Sequence, residues 1–217
     1  MLTPSYIWAQ GKGKNIQSES TPTPLYQGIS TGVDIAGLGS YALGGDVLNA
    51  EMYIQANFKN RFMPIAEFGF ASTDKTDDDS DMHFKTSAPY FRVGLDYNAF
   101  YKKTHLPGYI FVGLRMGFSS FKYDVDGPDM VDPNYGGQTV VPYSFQGLKS
   151  HATWAEAVAG LKVKIYKGFC MGWCVRYKKS FSVKDHPNSR PWYIPGFGKN
   201  SSTCFTVSYN LIYNLPF

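Results

Sequence analysis

The sequence predicts an all-β fold, an eight-stranded antiparallel up-and-down transmembrane β-barrel, on three observations. From Gln27 onward the chain repeats stretches of about ten residues in which apolar and polar side chains alternate. The connections between these stretches are in turn tight and long. The last stretch keeps its alternation up to Phe217.

Each strand carries its own pattern. The first sets Ile29, Val33 and Ile35 against Gly28, Ser30, Gly32 and Asp34. The second is the most regular, with Leu48, Ala50, Met52, Ile54, Ala56 and Phe58 on one face and Asn49, Glu51, Tyr53, Gln55 and Asn57 on the other. The third sets Phe62, Ala66, Phe68 and Phe70 against Glu67 and Gly69, with Pro64 marking a strand start or a bulge. The fourth sets Phe91, Val93, Leu95 and Tyr97 against Arg92, Gly94, Asp96 and Asn98. The fifth runs Ile110, Val112, Leu114, Met116 and Phe118 against Gly113, Arg115 and Gly117. The sixth runs Ala155, Ala157, Ala159, Leu161, Val163 and Ile165 against Glu156, Gly160, Lys162 and Lys164. The seventh sets Phe169, Met171, Trp173, Val175 and Tyr177 against Gly172, Arg176 and Lys178. The eighth sets Phe205, Val207, Tyr209, Leu211, Tyr213 and Leu215 against Thr206, Ser208, Asn210 and Asn214. No charge falls on an apolar face.

Composition agrees. Aromatic residues are 17% of the 217, and 22 glycines accompany them, a mix that favours strands and turns. Charged residues are 18%, below the usual quarter of a soluble chain. With a mean hydropathy of −0.26 and no apolar run of about 18 residues, a transmembrane helix is excluded. The net charge of +4 is scattered, without a stripe or recognition helix, so nucleic acid is not an expected partner. Residues 1–25 read as a signal-peptide remnant, with Ala9 before the cut, and a flexible segment; 26–217 form the barrel.

Alternation alone also fits a soluble lipocalin-like ligand-binding barrel, with the apolar face inside. Four features favour the membrane. Lys59–Arg61, Ala99–Pro107 and Tyr166–Gly168 are short connections, whereas Ser72–Ser87, Ser120–Ser150 and Ser182–Ser202 are long. Leu38–Asp46 is a modest loop. The run Tyr209, Leu211, Tyr213, Leu215 and Phe217 has the form of a barrel-assembly signal. Aromatics gather at predicted strand ends, where amphipathic rings prefer the headgroup layer. Finally, the polar face carries both charge signs: Glu51, Glu67, Asp96 and Glu156 can meet Arg92, Arg115, Lys162 and Arg176 in a barrel-interior polar network. Eight strands leave only side-chain space inside, so an open pore is not expected.

On these residues the stretch from Gln27 to Phe217 resembles small outer-membrane barrels of the OmpX and OmpA transmembrane-domain type. It also resembles a Bacteroidota family of single small outer-membrane barrels. The resemblance implies a bacterial outer-membrane location, with termini periplasmic and long loops extracellular. It implies outer-membrane lipid, lipopolysaccharide and the barrel assembly machinery as partners, the last during insertion and as a stable complex in which the chain is an accessory subunit.

Chemistry is sparse. His83, His151 and His186 fall in or near outer loops and His105 in a periplasmic connection. Asp185, His186 and Ser189 supply the residue types of a triad for a lipid-modifying enzyme, but no strand-held pattern fixes them. Asp74, Asp77, Asp78, Asp79 and Asp81, and separately Asp124, Asp126, Asp129 and Asp132, read as solvated loops without the spacing of a calcium site. No catalytic, cofactor or metal residues are assigned. A hairpin centred near residue 189 sets Cys174 opposite Cys204, a candidate disulfide, and leaves Cys170 free. The expectation is a non-enzymatic structural or interaction module. A loop-based surface binder or adhesin and a lipid-modifying enzyme are the alternatives.

Overall fold

The computed structural model describes residues 24–77, 80–131, 140–187 and 189–215. The signal-peptide remnant within 1–23, Asp78, Asp79, Asp132 and the terminal Phe217 of the assembly signal lie outside the described residues.

The elements run β1 (Tyr26–Asp34), α1 (Ala36–Ala42), β2 (Val47–Phe58), β3 (Phe62–Asp77), β4 (Met82–Asn98), β5 (Gly108–Asp126), β6 (Met130–Val131), β7 (Val140–Val141), β8 (Ser144–Tyr166), β9 (Phe169–Val183), β10 (Tyr193–Ile194), β11 (Gly198–Lys199) and β12 (Thr203–Asn214). Eight of the strands close into a barrel in the order β1-β12-β9-β8-β5-β4-β3-β2, all neighbours antiparallel. Among the described residues, no helix is long and apolar enough to cross a membrane.

The alternation sorts side chains cleanly. On β3, Met63, Ile65, Glu67, Gly69 and Ala71 are buried while Phe62, Pro64, Ala66, Phe68 and Phe70 point out. On β5 the outward face reads Ile110, Val112, Leu114, Met116 and Phe118, and Leu114 is 71% exposed. Such a span is about 30 Å along a tilted strand, the length a membrane strand needs. An outer face of Ile, Val, Leu, Met and Phe wrapped around buried Arg and Glu is the reverse of a soluble barrel, and it places the apolar face against lipid. Pro64 is the third residue of β3 and causes no bulge. It faces outward and pairs in register with Leu95.

Three connections differ from their reading as loops. β3–β4 and β5–β8 continue as paired strands beyond the apolar band, to Asp77↔Met82 and Asp126↔Ser144. There the alternation keeps its phase but reverses its chemistry. Phe121, Tyr123 and Val125 are buried, while Lys122 is exposed and Asp124 only partly covered. A strand that turns apolar side chains inward and lysine outward has left hydrocarbon for water. Helix α1 begins ahead of the modest loop Leu38–Asp46 and runs into it, because β1 stops at Asp34 and Ile35 is the helix N-cap residue rather than a strand position. The Asp34 carboxylate bonds the amides of Ala36 (2.9 Å) and Tyr209 (3.2 Å), ending the strand and starting the helix. The part of β12 that precedes Asn210 has no β1 partner, and α1 takes the vacated place in the wall beside β2. Its turns are closed by the Gly39 amide on the Ile35 carbonyl (2.9 Å) and the Leu43 amide on the Gly39 carbonyl (3.1 Å).

Aromatic pairs ring the short-turn end: Tyr26–Phe58, Phe62–Tyr97 and Phe169–Tyr213 have ring centroids 6.0, 5.8 and 4.9 Å apart. The Arg61 guanidinium lies over Phe62, Tyr97 and Tyr101 at 5.1, 5.4 and 4.9 Å. The turn itself places Lys59 and Asn60 at φ 52° and 54°.

Leu114→Arg, at the middle of the lipid face, is expected to lower unfolding stability in phospholipid vesicles by about 2–4 kcal/mol. Urea titration followed by tryptophan fluorescence measures it; an unchanged midpoint would mean this face does not meet lipid.

Candidate functional site

The barrel interior is built from alternate residues of neighbouring strands at one height. β2 supplies Glu51, β3 Glu67, β4 Arg92 and Asp96, β5 Arg115, β8 Glu156, and β9 Arg176 and Lys178. All are buried. Glu67 is the hub, with its carboxylate meeting Arg92 Nη1 at 2.8 Å, Arg176 Nη1 at 2.7 Å and Arg115 Nη1. Arg92 also reaches Glu51 at 2.7 Å, and its Nε lies 2.9 Å from Glu156, a charge contact whose N–H is not aimed for a hydrogen bond. Arg176 joins Glu51 at 2.8 Å, and Arg115 joins Asp96 at 3.1 Å. Neutral donors complete the acceptors: Gln55 to Asp96 (2.9 Å), Trp154 to Glu156 (2.7 Å) and Tyr90 to Glu51 (2.9 Å).

The four carboxylates (Glu51, Glu67, Asp96, Glu156) face four cations (Arg92, Arg115, Arg176, Lys178), so the layer is formally neutral. Of the predicted network only Lys162 stands apart. It donates to Ser30 Oγ (3.1 Å) and Asn214 Oδ1 (2.9 Å) at the short-turn mouth, and no carboxylate among the described residues is within ion-pair distance.

A cap that sequence reading missed covers this layer. The segment joining β9 to β12 folds back into the barrel, and β10 and β11 form its hairpin. Ile194 and Phe197 are buried, and Phe197 meets Trp154 edge-on at 6.0 Å. The Gly196 carbonyl accepts from Arg92 Nη2 (3.0 Å) and Lys178 Nζ (2.7 Å). Gly196 has φ +81° and rests on the Tyr90 ring so closely that a Cβ would overlap it. Around the cap, Phe84, Phe121, Tyr123, Val125 and Trp154 form an apolar cluster, so the interior is polar at mid-barrel and apolar toward the long hairpins. The signal was legible as Pro195-Gly196-Phe197-Gly198, a turn between apolar residues.

The predicted disulfide is corrected by the register. Cys174 lies opposite Ser208 and Cys204 opposite Lys178, and all three cysteines are free thiols. The β9–β12 connection turns later than a hairpin centred at 189 would, because the inward cap uses up chain. The triad residues take other roles. Asp185 pairs with Arg190 at 2.9 Å, while His186 and Ser189 bridge through their backbones at 3.2 Å. Four of the loop aspartates also have partners, Asp126 accepting from Ser144 (2.5 Å) and Asp124 from the Gly147 amide (2.6 Å). The Lys85 ammonium donates to Asp74 (2.9 Å) and holds its carboxyl below the usual range, and Ser80 donates to Asp77 (2.7 Å).

Above the cap a cleft of about 750 Å³ opens at the long-hairpin end, lined by His83, Phe84, Tyr143, Asp185, Arg190 and Trp192 among others. At the other end a mouth of about 390 Å³ contains Lys162 and Asn98.

A closed antiparallel barrel with lipid-facing apolar residues and a neutralised ionic interior defines a bacterial outer-membrane β-barrel. More particularly, the model for a domain of unknown function, DUF6048, matches residues 1–217, and the chain belongs to that family. No curated protein matches it. Among solved structures it is similar to Neisserial surface protein A, at 13% identity over 88% of this chain and 99% of that one, with a TM-score of 0.49. It is also similar to Ail, the attachment invasion locus protein of Yersinia pestis, solved in complex with the heparin analogue sucrose octasulfate. There the identity is 12% over 86% of this chain and 95% of that one, with a TM-score of 0.41.

Glu67→Gln leaves three buried guanidiniums short of a counter-charge and is expected to cost about 3–5 kcal/mol. Asp74→Asn, at the exposed hairpin, is expected to leave the unfolding midpoint unchanged. Denaturant titration of both variants in micelles checks the contrast.

Proposed function

We propose that this barrel is a non-enzymatic interaction module, with its interior closed and its long-hairpin end displayed on the cell surface. The observation that carries this reading is the inward cap. Arg92 and Lys178 hold Gly196 over a layer in which four carboxylates balance four cations, so nothing the size of a solute passes, and the long hairpins stand on the other side of the cap. The paired extensions of β3–β4 and β5–β8 make that surface a stiff platform rather than loose loops, with Trp192 and Arg190 lining its cleft above the buried Phe84. Rigid presentation lowers the ordering cost of binding.

In this reading the termini and the Lys59–Arg61, Ala99–Pro107 and Tyr166–Gly168 connections are periplasmic. The non-enzymatic assignment is supported by Asp185, His186 and Ser189, which are tied to Arg190 and to one another's backbone instead of being arranged around a reacting group. A second reading, an accessory subunit beside another outer-membrane barrel such as the assembly machine, is favoured by the outward ring pairs Trp173–Tyr209 and Tyr177–Phe205 at 5.7 and 4.9 Å on adjacent strands. They make an aromatic surface at a wall where β1 is short.

A Ser80→Cys variant in intact cells is expected to react with a membrane-impermeant maleimide, and Asn60→Cys only after permeabilisation; the opposite pattern would invert the topology. Lipid A and phospholipid mass spectra of a deletion strain are expected to match wild type. A changed species restored by the wild-type gene, but not by His186→Ala, would make the chain an enzyme.

A further inference from the structure

Lys122 on β5 and Lys149 on β8 are direct cross-strand partners. Both side chains point outward and are exposed. Like charges opposite one another on a ladder repel, and neighbouring lysines avoid this: Lys85 takes Asp74 at 2.9 Å and Lys75 takes Asp46 at 2.5 Å. Among the described residues neither Lys122 nor Lys149 has a carboxylate within ion-pair distance. Asp124, the next outward position on β5, spends an oxygen on the Gly147 amide at 2.6 Å.

The height of the pair matters. One outward step toward the membrane lie Ser120 and His151, also partners, and one further lie Phe118 and Thr153, where the apolar band ends. Lys122 is four steps beyond Phe118, about 13 Å along the strand and roughly 10 Å of height at the usual barrel tilt. A lysine stem can lie back along apolar surface and bring its ammonium lower. That depth is where the headgroup anions of the outer leaflet sit.

We propose that Lys122 and Lys149, with His151 beneath them, form a binding site for a phosphate group of lipid A in the outer leaflet. A phosphate monoester offers close to two negative charges and three acceptor oxygens, which match two facing ammoniums and a ring N–H. A phospholipid phosphodiester offers a single charge and suits the pair less well. The proposal rests on the surface-facing orientation given above. It adds an anchor: the ligand relieves the lysine repulsion and fixes the β5–β8 hairpin against the membrane surface.

The test uses the full chain in nanodiscs made of a neutral phospholipid, with lipid A, dephosphorylated lipid A or phosphatidylglycerol added. Native mass spectrometry is expected to show phosphorylated lipid A retained about tenfold more tightly than the other two. The advantage should disappear in the Lys122→Gln/Lys149→Gln double variant, which remains heat-modifiable on a gel and is therefore folded. Equal retention of lipid A by the double variant, or of phosphatidylglycerol by wild type, would overturn the site. The Ser80→Cys labelling reads the orientation separately. A binding site found in nanodiscs on a chain whose hairpins label only after permeabilisation would face the wrong leaflet for lipid A, and the assignment would fall on that ground alone.

Discussion

Everything inside this barrel is arranged around the Glu67 carboxylate and the three guanidiniums that converge on it. Charge buried in a narrow barrel costs several kcal/mol per ion unless it is paired and hydrogen-bonded. Here each charge comes from a different strand: Glu67 from β3, Arg92 from β4, Arg115 from β5 and Arg176 from β9. The network therefore ties the wall together across the lumen as well as around it. It also dictates where side chains must be absent. Gly69 and Gly117 sit opposite Tyr90 and Trp154 in the ladder, where a Cβ would overlap the rings. Those rings in turn donate to Glu51 and Glu156.

The cap follows from the same constraint. Arg92 has a donor left over after pairing and Lys178 has no carboxylate at ion-pair distance among the described residues, and the chain brings backbone carbonyls of Gly196 and Phe197 down to meet them. Once that segment is inside, Ile194 and Phe197 need apolar neighbours, and Phe84, Phe121 and Trp154 provide them. The long-hairpin end is thus a small soluble-type core stacked on a membrane-type polar core. One strand, β5, passes through both, reversing the chemistry of its alternation near Ser119 and Ser120 without a break in phase.

That reversal explains what was legible in the sequence and what was not. Strand number and inward charges could be read because the lipid-facing positions are uniformly apolar from Phe62 to Phe70 and from Ile110 to Phe118. Past Phe118 an outward-apolar template stops matching, so Phe121 to Val125 looked like loop although it is strand. Helix α1 was hidden because Ile35 continues the alternation of β1; the break comes from the Asp34 carboxylate capturing two amides, a side-chain event that periodicity does not record. The Cys174–Cys204 pairing failed for a related reason: hairpin arithmetic assumes a connection that runs straight back, and this one first enters the barrel. The ionic layer was legible as a set of residues, yet its hub was not, since nothing in the spacing distinguishes Glu67 from Glu51 or Glu156. Lys162 belongs to the same face but lies too near the short-turn mouth to reach the carboxylates.

In this barrel the polar face is the interior and the apolar face meets lipid. Gel mobility of the wild-type chain from an outer-membrane fraction tests it most directly, with cold and boiled detergent samples run side by side. The chain is expected in that fraction, migrating as a compact, faster band until boiled. A chain recovered in the soluble fraction, with one mobility under both conditions, would contradict it.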